Sequence, residues 1–190
     1  MPRPLAFDPD DALERAVELF WQQGYEATSL DDLTKAMGIN RPSLYNTFGD
    51  KRSLYLQALR HYRNRHGAAM VQGLQTADGV RIGLRRLFEA MVYTERACWG
   101  CLVVNAATEL AHEREEVCDF VNQAASENEK TFAEAVRTGQ ERGEISWDKD
   151  PEKLAKLLYN GMLAIRVRAR GGASEAELKE NVDLTLSLLD

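Results

Sequence analysis

Apolar residues recur at helical spacing along nearly the whole chain, and no segment shows the alternation of a β-strand. Leu13, Val17, Phe20 and Trp21 form the first apolar stripe, and Gly24 follows it. Glycines, prolines and N-capping residues divide the remainder in the same way. The pattern predicts an all-α protein, in which we number the helical segments 1 to 9 along the chain.

The best-marked segments are two short helices near the start of the chain. Ser29 and Asp32 have the spacing of a capping box, and Gly38 supplies the left-handed residue that ends the first of them. Asn40 can cap the second, with Pro42 in its first turn. Two short helices joined by a tight glycine-containing turn form the geometry that places a second helix in a DNA major groove.

The second short helix has outward polar residues, whereas Leu44, Tyr45 and Phe48 form its apolar face. These outward residues are Arg41, Ser43, Asn46 and Thr47. An Arg side chain can read guanine or hold phosphate, an Asn can read adenine, and a hydroxyl can serve either purpose.

This stretch closely resembles the DNA-binding signature of the TetR family of bacterial transcriptional regulators. The matching positions are Thr28, Ser29, Leu33, Ala36, Gly38, Ile39, Ser43, Leu44, Tyr45, Phe48, Lys51 and Leu54. In that family the position of Asn46 often holds His or another aromatic residue, so Asn46 departs from the pattern. The resemblance is specific up to about residue 65 and looser through GCLVVNAATEL and RGEISWDKDPEKLAKLLYNGMLAIRVRAR.

The resemblance implies a three-helix helix-turn-helix DNA-binding domain at 1–66 and a ligand-binding and dimerisation domain at 67–190. About nine helices are then expected, three before a long connecting helix and five after it. The implied function is a ligand-responsive repressor that binds a palindromic operator as a homodimer and is released by a small molecule. Phosphate contacts are expected from Thr28, Ser29, Tyr45 and Lys51, and base contacts from Arg41, Ser43 and Asn46.

The homodimer interface is expected on helix 8, which starts at Pro151 after the Asp150 cap, and on helix 9, which follows the Ser174 cap. The two helices would pack against their symmetry mates as a four-helix bundle. Helix 8 carries Leu157, Tyr159, Leu163 and Val167 besides its core stripe, and Gly161 would allow a close approach.

Charge is distributed unevenly along the chain. The net charge of −6 and the pI of about 5.2 are unusual for a DNA-binding protein. Residues 35–66, however, hold seven Lys and Arg against the single acidic Asp50, which gives a local phosphate footprint. No apolar run approaches ~18 residues and the start lacks the apolar stretch of a signal peptide, so a cytoplasmic protein without membrane contact is expected.

The second half could hold a small-molecule effector. Aromatic and thioether residues could line its cavity, although each taken singly is more often plain core: Phe88, Met91, Trp99, Phe120, Tyr159 and Met162. Asn105 and Glu109, on an otherwise apolar helix, could orient the ligand. The resemblance adds weight, because TetR-like proteins bind effectors inside this helical bundle. The acidic balance of this half disfavours an anion, so a largely apolar molecule is expected.

Cysteine and histidine give the remaining candidate chemistry. Cys98 and Cys101, in CWGC, are either a redox- or electrophile-sensing pair or two small residues packed near Trp99. The second interpretation is favoured, because free Cys is among the most buried residue types. The absence of a preceding strand also argues against a thioredoxin-like site. Glu109 and His112 have the ExxH spacing of helical di-iron sites, but a second copy is missing. No metal, cofactor or catalytic activity is therefore expected.

Two other classes of function remain as alternatives. The first is a thiol oxidoreductase that uses CWGC, and the second is a purely structural helical adaptor. The outward polar face from Arg41 to Lys51 argues against an adaptor, which has no need of it, and turnover of a dithiol substrate would favour the oxidoreductase.

Overall fold

The computed structural model describes residues 7–75 and 78–190, and within them regular structure is helical, without any strand. The nine α-helices of these residues are α1 (Pro9–Gln23), α2 (Leu30–Met37), α3 (Arg41–Phe48), α4 (Lys51–Gln75), α5 (Val80–Val92), α6 (Leu102–Glu109), α7 (Glu115–Glu141), α8 (Pro151–Arg170) and α9 (Glu175–Leu186). The predicted all-α class is confirmed. The break expected at 75–79 includes residues 76–77, which lie outside the described residues, as do residues 1–6 of the chain start.

Side-chain caps set the helix starts that the sequence predicted. The Ser29 hydroxyl accepts from the Asp32 amide while the Asp32 carboxylate accepts from the Ser29 amide, which completes the capping box of α2. Gly38 ends α2 in the left-handed conformation, with φ of 68°. The Asn40 side chain accepts from the Ser43 amide at 2.8 Å and so begins α3. The turn between the two helices is therefore fixed by local chemistry alone.

Two hydrophobic cores hold the helices together. The first joins α1–α4 to α6 and the start of α7, from which it includes Leu102, Ala106, Leu110 and Val117. The second lies among the end of α4, α5, the rest of α7, α8 and α9. In α4 the change of core falls between Tyr62 and Met70. The helices that would meet DNA thus share one core with α6, which follows them in the chain by about fifty residues.

The α8–α9 packing corrects what the sequence suggested about Gly161. This glycine faces Thr185 of α9 in the same chain, where an added Cβ would lie 2.3 Å from the Thr185 Cγ2. Tyr159 is buried and Leu163 packs against the second core, because both point towards the chain's own helices. Leu157 and Val167 remain exposed, so only these two of the four apolar residues are free for another subunit.

Candidate functional site

The outward face of α3 carries the predicted base-reading residues. Arg41 and Asn46 are exposed and Ser43 is half-buried, while Leu44 and Phe48 anchor the helix in the first core. Tyr45 was expected within the apolar face, but 48% of it is exposed. Its hydroxyl is therefore available for the phosphate contact that the sequence predicted for Tyr45.

Arg41 already has a partner on the neighbouring helix. Its Nη2 donates to the Asp31 Oδ1 at 2.8 Å, across the turn between α2 and α3. Both side chains are more than half exposed. An ion pair in this setting is weak, so a DNA phosphate or base can replace Asp31 at small cost.

The two hydroxyls predicted at the start of α2 lie in different surroundings. Thr28 is 1% exposed, and its Oγ1 donates to the Gly24 carbonyl at 2.6 Å. Ser29 is exposed at the helix N-terminus. Because burial removes the Thr28 side chain from the surface, Ser29 is the hydroxyl of this pair that can reach a phosphate.

Lys51 begins α4 and lies beside the turn that precedes α2. Its Nζ is 4.2 Å from the centre of the Tyr25 ring, within the range of a cation–π interaction. The Asp50 carboxylate caps α4 by accepting from the Ser53 amide at 2.7 Å, and this bond lowers the pKa of Asp50. The Asp50 cap thus fixes the start of α4, and the Tyr25 ring holds the Lys51 side chain beside the α1–α2 turn.

A cluster of aromatic rings joins the DNA-binding helices to the second half. The Trp21 ring lies 4.9 Å from Tyr62, 5.5 Å from Trp99 and 5.7 Å from His66, each nearly edge to face. The Trp21 Nε1 also donates to the Gly100 carbonyl at 3.3 Å. The surrounding rings keep part of His66 out of water, although the residue remains exposed in part. This desolvation, helped by nearby arginines, lowers the pKa of His66 from 6.5 to about 4, so the ring is neutral.

The residues predicted to bind an effector fall into two groups that the fold keeps apart. Phe88, Met91, Tyr159 and Met162 belong to the second core, where the first three are buried. Trp99, Phe120, Asn105 and Glu109 lie on elements packed against the first core.

The two polar residues of the second group are already engaged with the protein itself. The Asn105 Nδ2 donates to the Trp99 carbonyl at 3.1 Å, and the Glu109 carboxylate accepts from two backbone amides of the α1–α2 turn. Because α6 packs in the first core whereas Phe88 and Met91 belong to the second, the two groups do not form one predicted pocket, and sequence spacing could not reveal this separation.

Two grooves are open beside these cores. A groove of about 550 Å³ lies between α4 and α7 and is lined by Arg63, Gly67, Met70, Val71, Asn128 and Thr131, among others. Met70 lines this groove and belongs to the second core, so the groove adjoins that core. A smaller groove of about 440 Å³ lies between the end of α1, α6 and α8, and includes Asn105 and Glu109. The sequence analysis missed the α4–α7 groove, because its lining is polar and small.

The cysteines lie at the turn before α6 and on α7. Cys98 is exposed, whereas Cys101 and Cys118 are half-buried, and all three are free thiols. His112 is exposed beside Glu113 rather than near Glu109. Within residues 7–75 and 78–190, no three His, Cys, Asp or Glu side chains gather in a way that could hold a metal ion. None of the helices described is both long and apolar enough to cross a bilayer.

Comparison with known proteins places both halves of the chain in one family. A family model described as "Bacterial regulatory proteins, tetR family" matches residues 12–58. A second, described as "Tetracyclin repressor-like, C-terminal domain", matches residues 83–184. The first match contains α2 and α3, and the second contains most of α5 through α9.

Whole-chain relatives agree with these matches. The HTH-type transcriptional regulator YezE of Bacillus subtilis is 33% identical over the full length of both chains. The HTH-type transcriptional repressor ComR of Escherichia coli is 34% identical over 98% of this chain and 90% of its own. A solved structure of a cysteine mutant of the TetR family regulator CifR with a 26-base-pair operator superimposes with a TM-score of 0.87, at 37% identity over 97% of this chain and 98% of that one. The chain belongs to the TetR family of DNA-binding transcriptional regulators.

Proposed function

We propose that this protein is a repressor that binds a palindromic operator as a homodimer and leaves it when a small molecule binds. TetR family members act as homodimers with small-molecule effectors. The observation that carries the proposal is the exposed polar face of α3, with Arg41 and Asn46 beside the phosphate-binding candidates Tyr45 and Lys51. The repressor named ComR, similar over nearly its whole length, supports the same direction of regulation.

The contacts with DNA divide into two kinds. Ser29, Tyr45 and Lys51 hold phosphates, so they set affinity without reading sequence. Arg41 and Asn46, with Ser43, read base edges in the major groove. The small domain at 1–66 carries all of these residues, and residues 67–190 carry the dimer contacts and, together with Arg63 at the end of the small domain, the effector contacts.

The dimer forms through α8 and α9. Leu157, Val167 and Leu184 expose 48%, 53% and 63% of their surfaces on these two helices. Exposed leucine and valine on adjacent helices match the apolar core of a homodimer interface. Two α3 helices related by a twofold axis then reach half-sites about one helical turn apart.

The effector binds in the groove between α4 and α7. The groove lies where α4 passes from the first core to the second, close to Met70. The start of α4 bears Lys51, so a ligand that changes the tilt of α4 moves the recognition helices without touching DNA. The change in operator affinity equals the ligand's differential affinity for the two tilts, typically ~1–3 kcal/mol. The polar lining of Arg63 and Asn128 favours a ligand with hydrogen-bonding groups as well as an apolar part.

Regulation is proposed in place of catalysis, because the family to which the chain belongs consists of transcriptional regulators. The exposed Cys98 gives a covalent route to the same change in α4, because its turn contacts α1 through Trp21.

Selection of bound duplexes from a random DNA pool tests the function directly. The expected result is one inverted repeat, with half-sites about one helical turn apart. Arg41→Ala should lose the preference at the base that Arg41 reads in each half-site, and Arg86→Ala, which replaces an exposed Arg of α5, should keep it. Recovery of unrelated sequences by the unsubstituted protein would contradict the proposal.

A further inference from the structure

The corner between α6 and α7 grips the turn that connects α1 to α2. At the end of α6, the Glu109 Oε2 accepts from the Tyr25 amide at 3.0 Å, and its Oε1 accepts from the Glu26 amide at 2.8 Å. One carboxylate thus binds two successive backbone N–H groups that lie more than eighty residues away in the chain. Charge-assisted bonds of this kind are the strong ones.

Arg114 adds two contacts to the same dipeptide. Its guanidinium carbon lies 5.0 Å from the centre of the Tyr25 ring, and its Nη2 lies 3.6 Å from the Glu26 carboxylate. Nearby, Arg52 of α4 pairs with Glu116 of α7. The α6–α7 corner therefore holds both the α1–α2 turn and the first residues of α4.

Gly24 makes the close approach of Glu109 possible. Its φ of 89° belongs to the left-handed region, and an added Cβ would lie only 3.0 Å from the Glu109 Oε2. The position thus has room for the carboxylate and none for a side chain. Glu109 therefore packs closely against Gly24 in addition to accepting its two hydrogen bonds.

We infer that Glu109 is a positioning residue for DNA binding, which acts through Tyr25 on Lys51. The carboxylate fixes the backbone of Tyr25, and the Tyr25 ring is the surface on which the Lys51 Nζ rests, at 4.2 Å. The orientation of this lysine towards a phosphate is thus set by a residue of the second half of the chain. The inference rests on the proposed DNA-binding face, since Lys51 matters only if it contacts DNA.

The geometry also gives α6 a direct connection to the DNA-binding face, separate from the tilt of α4. Leu102, Ala106 and Leu110 of this segment are buried in the first core, so Glu109 stands on a helix that packs in the same core as α1. A shift of the α6–α7 corner would pull on the Tyr25 and Glu26 amides at once.

Glu109→Ala, Glu109→Gln and Lys51→Ala test the inference in operator binding and in binding to a non-cognate duplex of equal length. Glu109→Ala should weaken operator binding about tenfold and reduce the salt dependence by about one phosphate contact. Glu109→Gln keeps one acceptor oxygen, so its operator affinity should lie between those of the unsubstituted protein and Glu109→Ala. Glu113→Ala, an exposed residue of the same corner, serves as the matched control and should bind as the unsubstituted protein does.

The double variant separates positioning from a merely structural role. If Glu109 acts through Lys51, Glu109→Ala combined with Lys51→Ala binds no more weakly than Lys51→Ala alone. Thermal unfolding by circular dichroism shows that each variant is folded at the assay temperature. A folded Glu109→Ala with unchanged affinity and salt dependence, or losses that multiply in the double variant, would overturn the inference.

The same experiment distinguishes failure of this inference from failure of the proposed function. A Lys51→Ala variant with unaltered operator binding would overturn the proposed phosphate contact of Lys51 and, with it, the role of Glu109. Weakened Lys51→Ala beside an unaltered Glu109→Ala would overturn the role of Glu109 alone.

Discussion

Asp31 holds Arg41 at 2.8 Å across the turn between the two short helices, and both side chains face solvent. The Asp31 carboxylate thus pairs with the guanidinium that is proposed to read DNA. It also places a negative charge on the surface that approaches the phosphates. Removing this charge should help binding rather than harm it.

Asp31→Asn should therefore tighten operator binding by about two- to fivefold, in line with the small strength of an exposed ion pair. Fluorescence anisotropy with the selected operator measures the change. Asp119→Asn, an exposed residue of α7, controls for the loss of one negative charge elsewhere. Weaker binding by Asp31→Asn would mean that the pair orders Arg41 for DNA instead of competing with it.

Lys51 and Arg41 should differ in how their loss affects sequence preference. Lys51→Ala should weaken binding to all duplexes alike and lower the salt slope by about one phosphate contact. Arg41→Ala should relax the preference at its base, at a cost of roughly 1–3 kcal/mol. Titrations on operator and non-cognate DNA at several salt concentrations measure both, with Lys130→Ala as the control for a distant exposed lysine. Unchanged affinity in both variants would remove this face from the interface.

Leu157 and Leu184 should be central to the dimer. Replacing both with Lys would place charges in an apolar interface and should raise the dimer dissociation constant by at least about 100-fold. Sedimentation velocity at micromolar concentration detects the resulting monomer. Ile82→Lys, on the exposed side of α5, should remain dimeric. A dimer that survives the double substitution would exclude the α8–α9 face.

Cys98 should react with thiol reagents before the other two cysteines. It is exposed, whereas Cys101 and Cys118 are half-buried, and Cys101 packs against the first core. A chromogenic disulfide should therefore titrate one thiol in a fast phase, and Cys98→Ser should remove that phase. If Cys101→Ser removes the fast phase instead, the turn before α6 opens far more readily than its contacts imply.

The stability of the fold should fall in mild acid through His66. Because burial lowers the folded-state pKa of this ring to about 4, only the unfolded chain takes up its proton as the pH falls below about 6.5. The free energy of unfolding should therefore decrease from pH 7 towards pH 5. The part of the ring in contact with water limits the effect to about 1 kcal/mol. Urea unfolding at pH 7.0 and 5.5 should show a larger loss for the unsubstituted protein than for His66→Gln; equal losses would exclude His66 as the cause.

Helix starts and stops were predictable because each depends on neighbours in the chain. The capping box of Ser29 and Asp32, the left-handed Gly38 and the Asn40 cap all act over three residues or fewer. The same holds for Asp150 before α8 and Ser174 before α9. Such signals are strong in the sequence because no tertiary contact is needed to satisfy them.

The candidate site was predictable only where it lies on those local elements. Arg41 and Asn46 are exposed because α3 has one apolar face, which the sequence displays, whereas Tyr45 was assigned to that face and is exposed as well. The partner of Glu109 could not be found in this way, since the hydrogen bonds join residues more than eighty positions apart. The separation of Asn105 from Phe88 likewise depends on which core each helix joins.

The first core limits how the DNA-binding helices of one regulator can be joined to the ligand-binding half of another. A hybrid joined near residue 66 would deprive α1 and α4 of Leu102, Ala106 and Leu110, which complete their packing. A DNA-binding module that is transferred to another regulator must therefore include α6 and the first turns of α7. DNA specificity and ligand response therefore cannot be exchanged at a single junction, because the segments that form the first core are not contiguous in the chain.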